Sequence, residues 1–197
     1  MVTLKSDALK SFNPKAYAEA LATVVDGVVI FPHSTDASSV APMLAVIKNA
    51  SLLTNVVSAP VAVSPFEAKR KAFSGKAFMD AKAHGENVIV TVSQNSFGVK
   101  ENPVAGSEEV KEVSVSEEGL TVVNQEKSSG KLDLKEAEVV VSAGRGMKGP
   151  ENWGMIEELA NVLGAATACS KPVSDIGWRS HSEHVGQTGK AIAPNLY

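Results

Sequence analysis

The sequence has few of the features that mark disulfide-linked, nucleic-acid-binding or membrane-spanning proteins. Its one cysteine, Cys169, excludes an internal disulfide and fits a reducing compartment. Lys and Arg number 19 against 22 Asp and Glu, and the net charge of −3 favours neither nucleic acid nor an anionic membrane as a partner. No apolar run approaches the roughly 18 residues that a membrane span needs. The N-terminus has no signal-peptide pattern, so these absences together predict a cytoplasmic protein without membrane insertion.

Residues typical of metal centres and nucleophilic catalysis are scarce as well. His181 and His184 have no third ligand at a diagnostic spacing, and we interpret them as surface loop histidines. Cys169 reads as a buried strand residue because no activating base can be identified for it. No G-x-S-x-G motif is present to indicate a hydrolase. The sequence therefore predicts neither catalytic residues nor a metal site.

The most informative stretch runs from Ala137 to Gly164 and reads as a strand, a glycine-rich turn and a helix. Three consecutive valines at 139–141 predict a strand buried on both faces. The turn, 144–149, has the spacing G-x-G-x-x-G, and Pro150 suits the first position of a helix that Gly164 ends. A glycine-rich turn at a helix N-terminus offers free N–H groups and a positive dipole end. The stretch therefore predicts a site for a dinucleotide or another phosphate.

Two details narrow this prediction. A second strand, 165–169, is followed by Ser170 and Lys171, where an NAD site of the Rossmann type would place a ribose-binding acid. The nearest acid is Asp175, so a standard NAD site is disfavoured. The later segment 186–190 fails as a P-loop because only two residues separate its glycines, although its backbone and Thr188 can still approach a ligand.

The N-terminal half reads as α/β. A helix is predicted from Asn13-Pro14 to about Val25, followed by an apolar strand at 28–31 and a second helix capped by Ser38 or Ser39. Short strands follow between 56 and 92, with a hairpin turn at Ser74-Gly75. Strand, loop and helix in this order favour a parallel sheet.

A change of composition after residue 99 predicts a connection between two domains. The sequence becomes rich in Ser, Glu and Lys, with one modest strand predicted at 119–123. We predict an N-terminal α/β domain over residues 1–115, a linker over 116–136, and a second domain over 137–197.

Three motifs in order resemble the α subunit of electron transfer flavoprotein. They are Val-Val-Val-Ser-Ala-Gly-Arg-Gly-Met-Lys at 139–148, Ala-Cys-Ser-Lys-Pro-Val-Ser-Asp at 168–175, and Val-Gly-Gln-Thr-Gly-Lys-Ala-Ile-Ala-Pro-Asn-Leu-Tyr at 185–197. The match covers roughly residues 136–197, and the preceding part resembles that family's first α/β domain more loosely. The fold class implied is an incomplete N-terminal α/β domain followed by the first part of a Rossmann-like, doubly wound parallel-sheet FAD domain. Relative to the family, we expect the chain to be truncated at both ends.

The resemblance implies an electron carrier rather than a substrate-converting enzyme. The α subunit of this family carries FAD and pairs with a β subunit in a heterodimer. It accepts electrons from acyl-CoA or other dehydrogenases and passes them to a quinone oxidoreductase or an equivalent acceptor, as in fatty acid β-oxidation. The flavin carries the chemistry in such a protein, and the protein tunes it.

The resemblance also assigns roles to residues of this chain. Arg145 would contact the cofactor and Ser170 would hydrogen-bond it, while Lys171 stands where the family usually has arginine. Lysine keeps the positive charge but lacks the planar fork of a guanidinium. The isoalloxazine would be lined by Val185, Gly186, Gln187 and Thr188, with Thr188 placed toward the flavin N5.

Two alternatives stay open at this stage. The first is an NAD(P)-dependent oxidoreductase built on the G-x-G-x-x-G turn, against which the missing ribose acid counts. The second is a cofactor-free fragment that retains only the pairing with a β subunit.

Overall fold

The computed structural model describes residues 1–98, 100–116, 119–124 and 132–197. The chain forms two compact units, Met1–Glu126 and Lys127–Tyr197, which we call unit 1 and unit 2. The predicted linker at 116–136 lies partly outside the described residues, and the predicted domain bounds stay a prediction.

Unit 1 is built on a mixed sheet whose parallel strands carry the α/β character predicted from the sequence. Its strands are β1 (Val2–Lys5), β2 (Val28–Pro32), β3 (Ser51–Val56), β4 (Ala62–Val63), β5 (Phe66–Ala72), β6 (Ala77–Lys82), β7 (Val88–Val92) and β8 (Glu109–Glu112). The main sheet has the order β2-β7-β3-β5-β4, with β6 on β5, and its strands β2, β7 and β3 are parallel. Strands β1 and β8 form a separate parallel pair.

Alternate residues of β7 enter two different core clusters. Val88 and Val90 pack with Leu53 and Phe66, whereas Ile89 packs with Leu44 of the second helix. Because successive strand residues point to opposite faces, the two clusters lie on the two sides of the sheet. The sheet of unit 1 thus carries an apolar cluster on each face, while Val28 and Ile30 of β2 stay 44% and 66% exposed.

Two helices, α1 (Pro14–Ala22) and α2 (Thr35–Ile47), accompany this sheet. The predicted cap of α1 is confirmed, since the Asn13 side chain accepts hydrogen bonds at the first turn. The predicted cap of α2 is wrong: Ser34 is the N-cap and accepts from the Ala37 N–H at 3.1 Å. Ser38 and Ser39 lie inside the helix, where their hydroxyls bond carbonyls four residues back.

The predicted hairpin is confirmed and the predicted strand at 119–123 is wrong. Phe73, Ser74 and Gly75 all have positive φ angles and join β5 to β6. None of the residues 119–123 lies in a strand, and Val123 is 93% exposed. Leu120 and Val122, which would share one face of such a strand, stay exposed, so the segment makes no packing contact of the kind that stabilises pairing.

Unit 2 follows the predicted order of strand, glycine turn, helix and strand. Its elements are β9 (Val140–Ala143), α3 (Gly154–Leu163), β10 (Ala166–Cys169) and α4 (Lys171–Asp175), and β9 and β10 are parallel. Pro150 opens a short 3₁₀ turn, after which α3 begins at Gly154. Gly164 ends α3 in the left-handed conformation, as its position in the sequence predicted. Among the described residues of both units, no helix is long and apolar enough to cross a membrane.

Candidate functional site

Three adjacent extended segments of unit 2 end at the same edge. Ala143 of β9 lies opposite Cys169 of β10, and Cys169 forms a parallel bridge with His184. Backbone hydrogen bonds continue both pairings, from the Ser170 N–H to the Ala143 carbonyl and from the Val185 N–H to the Cys169 carbonyl, each at 3.1 Å. The structure therefore brings together the starts of the three predicted site segments, 144–149, 170–171 and 185–188.

The chain changes direction across the sheet at β9. It proceeds outward from β9 to β10 and then to His184, and it returns to the other side of β9, where Leu196 bridges Val139 in parallel. In open parallel sheets, ligands bind beyond the carboxyl ends of the strands where the strand order reverses. This rule locates the candidate site at the carboxyl end of β9, where the glycine turn begins.

The glycine turn after β9 has unused hydrogen-bond donors and positive charge. The backbone N–H groups of Arg145 and Gly146 make no hydrogen bond within the described part of the chain. Arg145, Lys148 and Lys171 are exposed, and none of them forms an ion pair with any described residue. Free N–H groups next to unpaired cations suit an anion such as a pyrophosphate.

Gly144 stands close to the second segment. A Cβ placed on Gly144 would lie 3.4 Å from the Ser170 hydroxyl oxygen. A larger side chain would fill the space between the two segments, so glycine keeps this part of the edge open. Ser170 is half-buried and Lys171 is exposed at the start of α4.

The third segment continues as a tight turn. The Gly186 N–H donates to the Lys190 carbonyl at 3.2 Å, and the Gly189 N–H donates to the Gly186 carbonyl at 3.0 Å. Val185 is half-buried, whereas Gln187 and Thr188 are exposed on the turn. The turn therefore presents the Gln187 amide and the Thr188 hydroxyl beside β10, and neither group hydrogen-bonds another described residue.

A charged cluster beneath this edge holds the third segment in place. The Arg179 guanidinium donates to both carboxylate oxygens of Glu183, at 2.9 and 3.0 Å, and to Glu157 of α3 at 2.9 Å. Its carbon lies 5.5 Å from the ring centre of the buried Trp153. Burial acts to lower the pKa of Arg179, but the hydrogen bonds and charges of Glu183, and then of Glu157, outweigh it and raise the pKa. The cluster thus ties α3 to the segment that leads into His184.

Cys169 is fully buried at the end of β10, which confirms its interpretation as a buried strand residue. Burial, followed by the charge of Glu183, raises the pKa of its thiol, while Arg179 opposes the shift. A thiol with a raised pKa and no exposure is a poor nucleophile.

Two features of the site were missed from the sequence. The Arg179–Glu183 pair has the i, i+4 spacing that could have indicated it, although Glu157 is remote in the chain. His184 is buried at 7% exposure, so its interpretation as a surface loop histidine is wrong, while His181 is exposed. No group of three or more potential metal ligands occurs among the described residues.

Comparisons with known proteins match both units. The family model described as electron transfer flavoprotein domain matches residues 1–118, and the one described as electron transfer flavoprotein FAD-binding domain matches residues 133–197. The chain is 29% identical to electron transfer flavoprotein subunit alpha of Bacillus subtilis over 204 residues, covering 100% of this chain and 63% of the relative. It is 33% identical to the subunit alpha of Syntrophomonas wolfei, covering 98% of this chain and 63% of the relative.

A mitochondrial relative is similar over less of its length. The chain is 33% identical to the mitochondrial electron transfer flavoprotein subunit alpha of Dictyostelium discoideum, covering 86% of this chain and 50% of the relative. The chain thus spans less than two thirds of the length of these relatives.

Proposed function

The chain belongs to the electron transfer flavoprotein α-subunit family, and on that premise we propose that it binds FAD at the carboxyl edge of unit 2 and serves as an electron carrier. The observation that carries the proposal is the alignment of Gly144, Ser170 and Val185 at one level across three parallel segments. These segments belong to the part of the chain that matches the FAD-binding domain. No substrate-converting step is proposed.

The residues at this edge fit a dinucleotide. The N–H groups of Arg145 and Gly146 are available to phosphate oxygens, and the side chains of Arg145 and Lys171 bring positive charge. The space between Gly144 and Ser170 lets a ligand approach the backbone closely. Bound FAD would supply the redox chemistry, which ordinary side chains do not provide.

Each predicted site residue has a role under this proposal. Arg145 contacts the cofactor and offsets its negative charge, Ser170 donates or accepts a hydrogen bond, and Lys171 adds a second cation. The turn that bounds the isoalloxazine consists of Val185, Gly186, Gln187 and Thr188. The exposed Gln187 and Thr188 are available to bond the flavin, and Thr188 is assigned to the N5 side.

The proposal extends to partners by way of the relatives. Those relatives are named as α subunits, which supports a heterodimer with an electron transfer flavoprotein β subunit. We propose acyl-CoA or other dehydrogenases as electron donors, a quinone-linked oxidoreductase as the acceptor, and fatty acid β-oxidation in the cytoplasm as the setting. An NAD(P)-dependent oxidoreductase is less well supported, since Ser170 and Lys171 occupy the place of the ribose-binding acid.

A flavin titration of the purified chain tests the proposal. FAD fluorescence is followed as protein is added, with FMN and NAD(P)H titrated in parallel, and the absorption spectrum of the complex is recorded. Saturable, near-stoichiometric binding of FAD in preference to the other two supports the proposal. A chain that ignores FAD but co-purifies with a β subunit identifies the cofactor-free alternative. Hydride transfer from NAD(P)H to a small substrate would establish the dehydrogenase instead.

A further inference from the structure

His184 lies directly beneath the turn formed by residues 186–189. Its side chain is buried, although the surrounding sequence is polar and rich in glycine. Its backbone belongs to the third extended segment, where it pairs with Cys169. The His184 carbonyl accepts a hydrogen bond from the Lys190 N–H at 2.9 Å, which closes the turn over the ring.

Two glycines of the turn face the imidazole. A Cβ on Gly189 would lie 2.5 Å from the His184 carbonyl oxygen and 2.7 Å from both Cγ and Nδ1 of the ring. A Cβ on Gly186 would lie 3.8 Å from Nε2, at the other side of the ring. At Gly189 the backbone of the turn therefore packs directly on the imidazole, with no space for a methyl group, and Gly186 lies farther away on the Nε2 side.

From this packing we infer that His184 is a positioning residue, whose ring fixes the place of the turn and thereby the place of Gln187 and Thr188. The ring acts through the backbone of Gly186 and Gly189 and does not itself reach the exposed side of the turn. Removing it leaves a hole that the turn can enter, because glycine backbones offer little resistance to collapse. The effect of His184 on flavin binding rests on the proposed function, whereas its effect on the position of the turn does not.

His184 acts alone in this role rather than as a metal ligand. The described residues contain no group of three or more possible ligands that would include it. The exposed His181 lies three residues earlier, and it is not among the nearest neighbours that an added Cβ would meet at any described glycine, so it serves as a matched control. The two histidines therefore separate an effect of the buried ring from an effect of losing a histidine in this segment.

The first test measures the turn without FAD. Amide hydrogen exchange is followed at Gly186, Gly189 and Lys190, whose N–H groups carry the hydrogen bonds of the turn. His184→Ala is expected to speed exchange by about tenfold, while His184→Gln, which keeps a planar group of similar length, restores most of the protection. His181→Ala is expected to match the wild type. Unchanged exchange in His184→Ala would overturn the inference, whatever the chain does with FAD.

The second test measures FAD affinity by flavin fluorescence with the same variants. His184→Ala is expected to weaken FAD binding by about tenfold, with partial recovery in His184→Gln and none of the loss in His181→Ala. Faster exchange with unaltered FAD affinity would show that the turn is not part of the flavin site, and would overturn that half of the inference. A wild-type chain that binds no FAD contradicts the proposed function, and exchange alone then decides the role of His184.

Gly189→Ala keeps the test decisive if His184→Ala does not fold. This variant retains the imidazole but forces the turn away from it, because the added methyl group meets the His184 carbonyl and ring. We expect faster exchange at Gly186 and Lys190, and the same loss of FAD affinity. A Gly189→Ala chain with wild-type exchange and affinity would contradict the packing argument.

Discussion

Each unit has its own parallel strands, but the edges formed by the carboxyl ends of those strands differ between the two units. In unit 1 the polar groups at the carboxyl ends of three neighbouring strands bond one another. The ring of His33, which follows β2, lies 2.8 Å from the hydroxyl of Thr91 in β7, and the N–H of Asn55 in β3 donates to the same hydroxyl at 2.9 Å. In unit 2 the N–H groups of Arg145 and Gly146 stay free within the described part of the chain.

In unit 1 the polar groups of the edge are used in intramolecular hydrogen bonds, and we call this the closed edge. In unit 2 the N–H groups of Arg145 and Gly146 remain available to a ligand, and we call this the open edge. A polar loop beyond a parallel strand is therefore a weak indication of a site, since it can be consumed by intramolecular bonds. Unbonded donors, unpaired cations and a glycine that keeps space open are a stronger indication when they occur together. Substitutions that alter one edge at a time test this difference.

The largest expected effect comes from filling the open edge of unit 2. Gly144→Val places methyl groups toward the Ser170 hydroxyl, where even a Cβ would come within 3.4 Å. The φ angle of −125° accepts a β-branched residue, so the fold is expected to persist. We expect FAD affinity to fall by about 100-fold, equivalent to about 2.7 kcal/mol, as measured by fluorescence titration.

The control for this change is Gly98→Val in unit 1, where an added Cβ meets nothing within 4 Å. That variant should bind FAD like the wild type. Equal affinity in Gly144→Val and the wild type would remove Gly144 from the candidate site.

The second prediction breaks the closed edge of unit 1. Thr91 is fully buried, and Thr91→Val keeps its shape while removing the oxygen that serves His33 and the Asn55 N–H. Leaving a buried donor unpaired costs about 1–3 kcal/mol, so the free energy of unfolding in urea should fall by that amount. Thr121→Val, at an exposed position, is the matched control. If both variants unfold at the same urea concentration, the closed edge contributes no stability.

Much of each unit could be predicted because its signals are local. The valine run, the glycine turn and Gly164 fix unit 2 from β9 to the end of α3, since each acts within a few residues of itself. Asn13 and the Ser74-Gly75 turn are local signals of the same kind.

The missed features depend on contacts between residues distant in the chain. The pairing of β1 with β8 joins Val2 to Glu109, and neither short strand has a periodicity that reveals its partner. The burial of His184 follows from a turn that folds back on it, which a polar, glycine-rich sequence does not indicate. The available N–H groups of the turn at Arg145 could be predicted from the G-x-G-x-x-G spacing. The hydrogen bonds that Thr91 makes with His33 and Asn55 could not, because the three residues are far apart in the sequence.

The third prediction tests the charge of the open edge. Arg145→Ala removes an exposed, unpaired guanidinium, and we expect FAD affinity to fall by about tenfold. Unfolding free energy should stay within about 0.5 kcal/mol of the wild type, because the exposed Arg145 side chain forms no hydrogen bond or ion pair with a described residue. Lys76→Ala, an exposed cation of unit 1 that forms no ion pair with a described residue, controls for net charge alone. The role of Arg145 is contradicted if the two variants lose FAD affinity equally.

The smallest expected effect concerns the closed edge again, at the start of α2. The Ser34 hydroxyl uses its acceptor capacity on the Ala37 N–H, a donor that would otherwise be free at this helix N-terminus. Ser34→Ala should therefore lower the free energy of unfolding by about 1 kcal/mol without changing FAD affinity. Ser38→Ala and Ser39→Ala are matched controls, since their hydroxyls only donate to the carbonyls of Ser34 and Thr35 and cap no free N–H group. Both variants are expected to stay within about 0.5 kcal/mol of the wild type. If Ser38→Ala lowered the free energy of unfolding more than Ser34→Ala does, Ser38 would be the cap, as the sequence predicted. The N–H groups of residues 35–37 would then be as available to a ligand as those of residues 145–146.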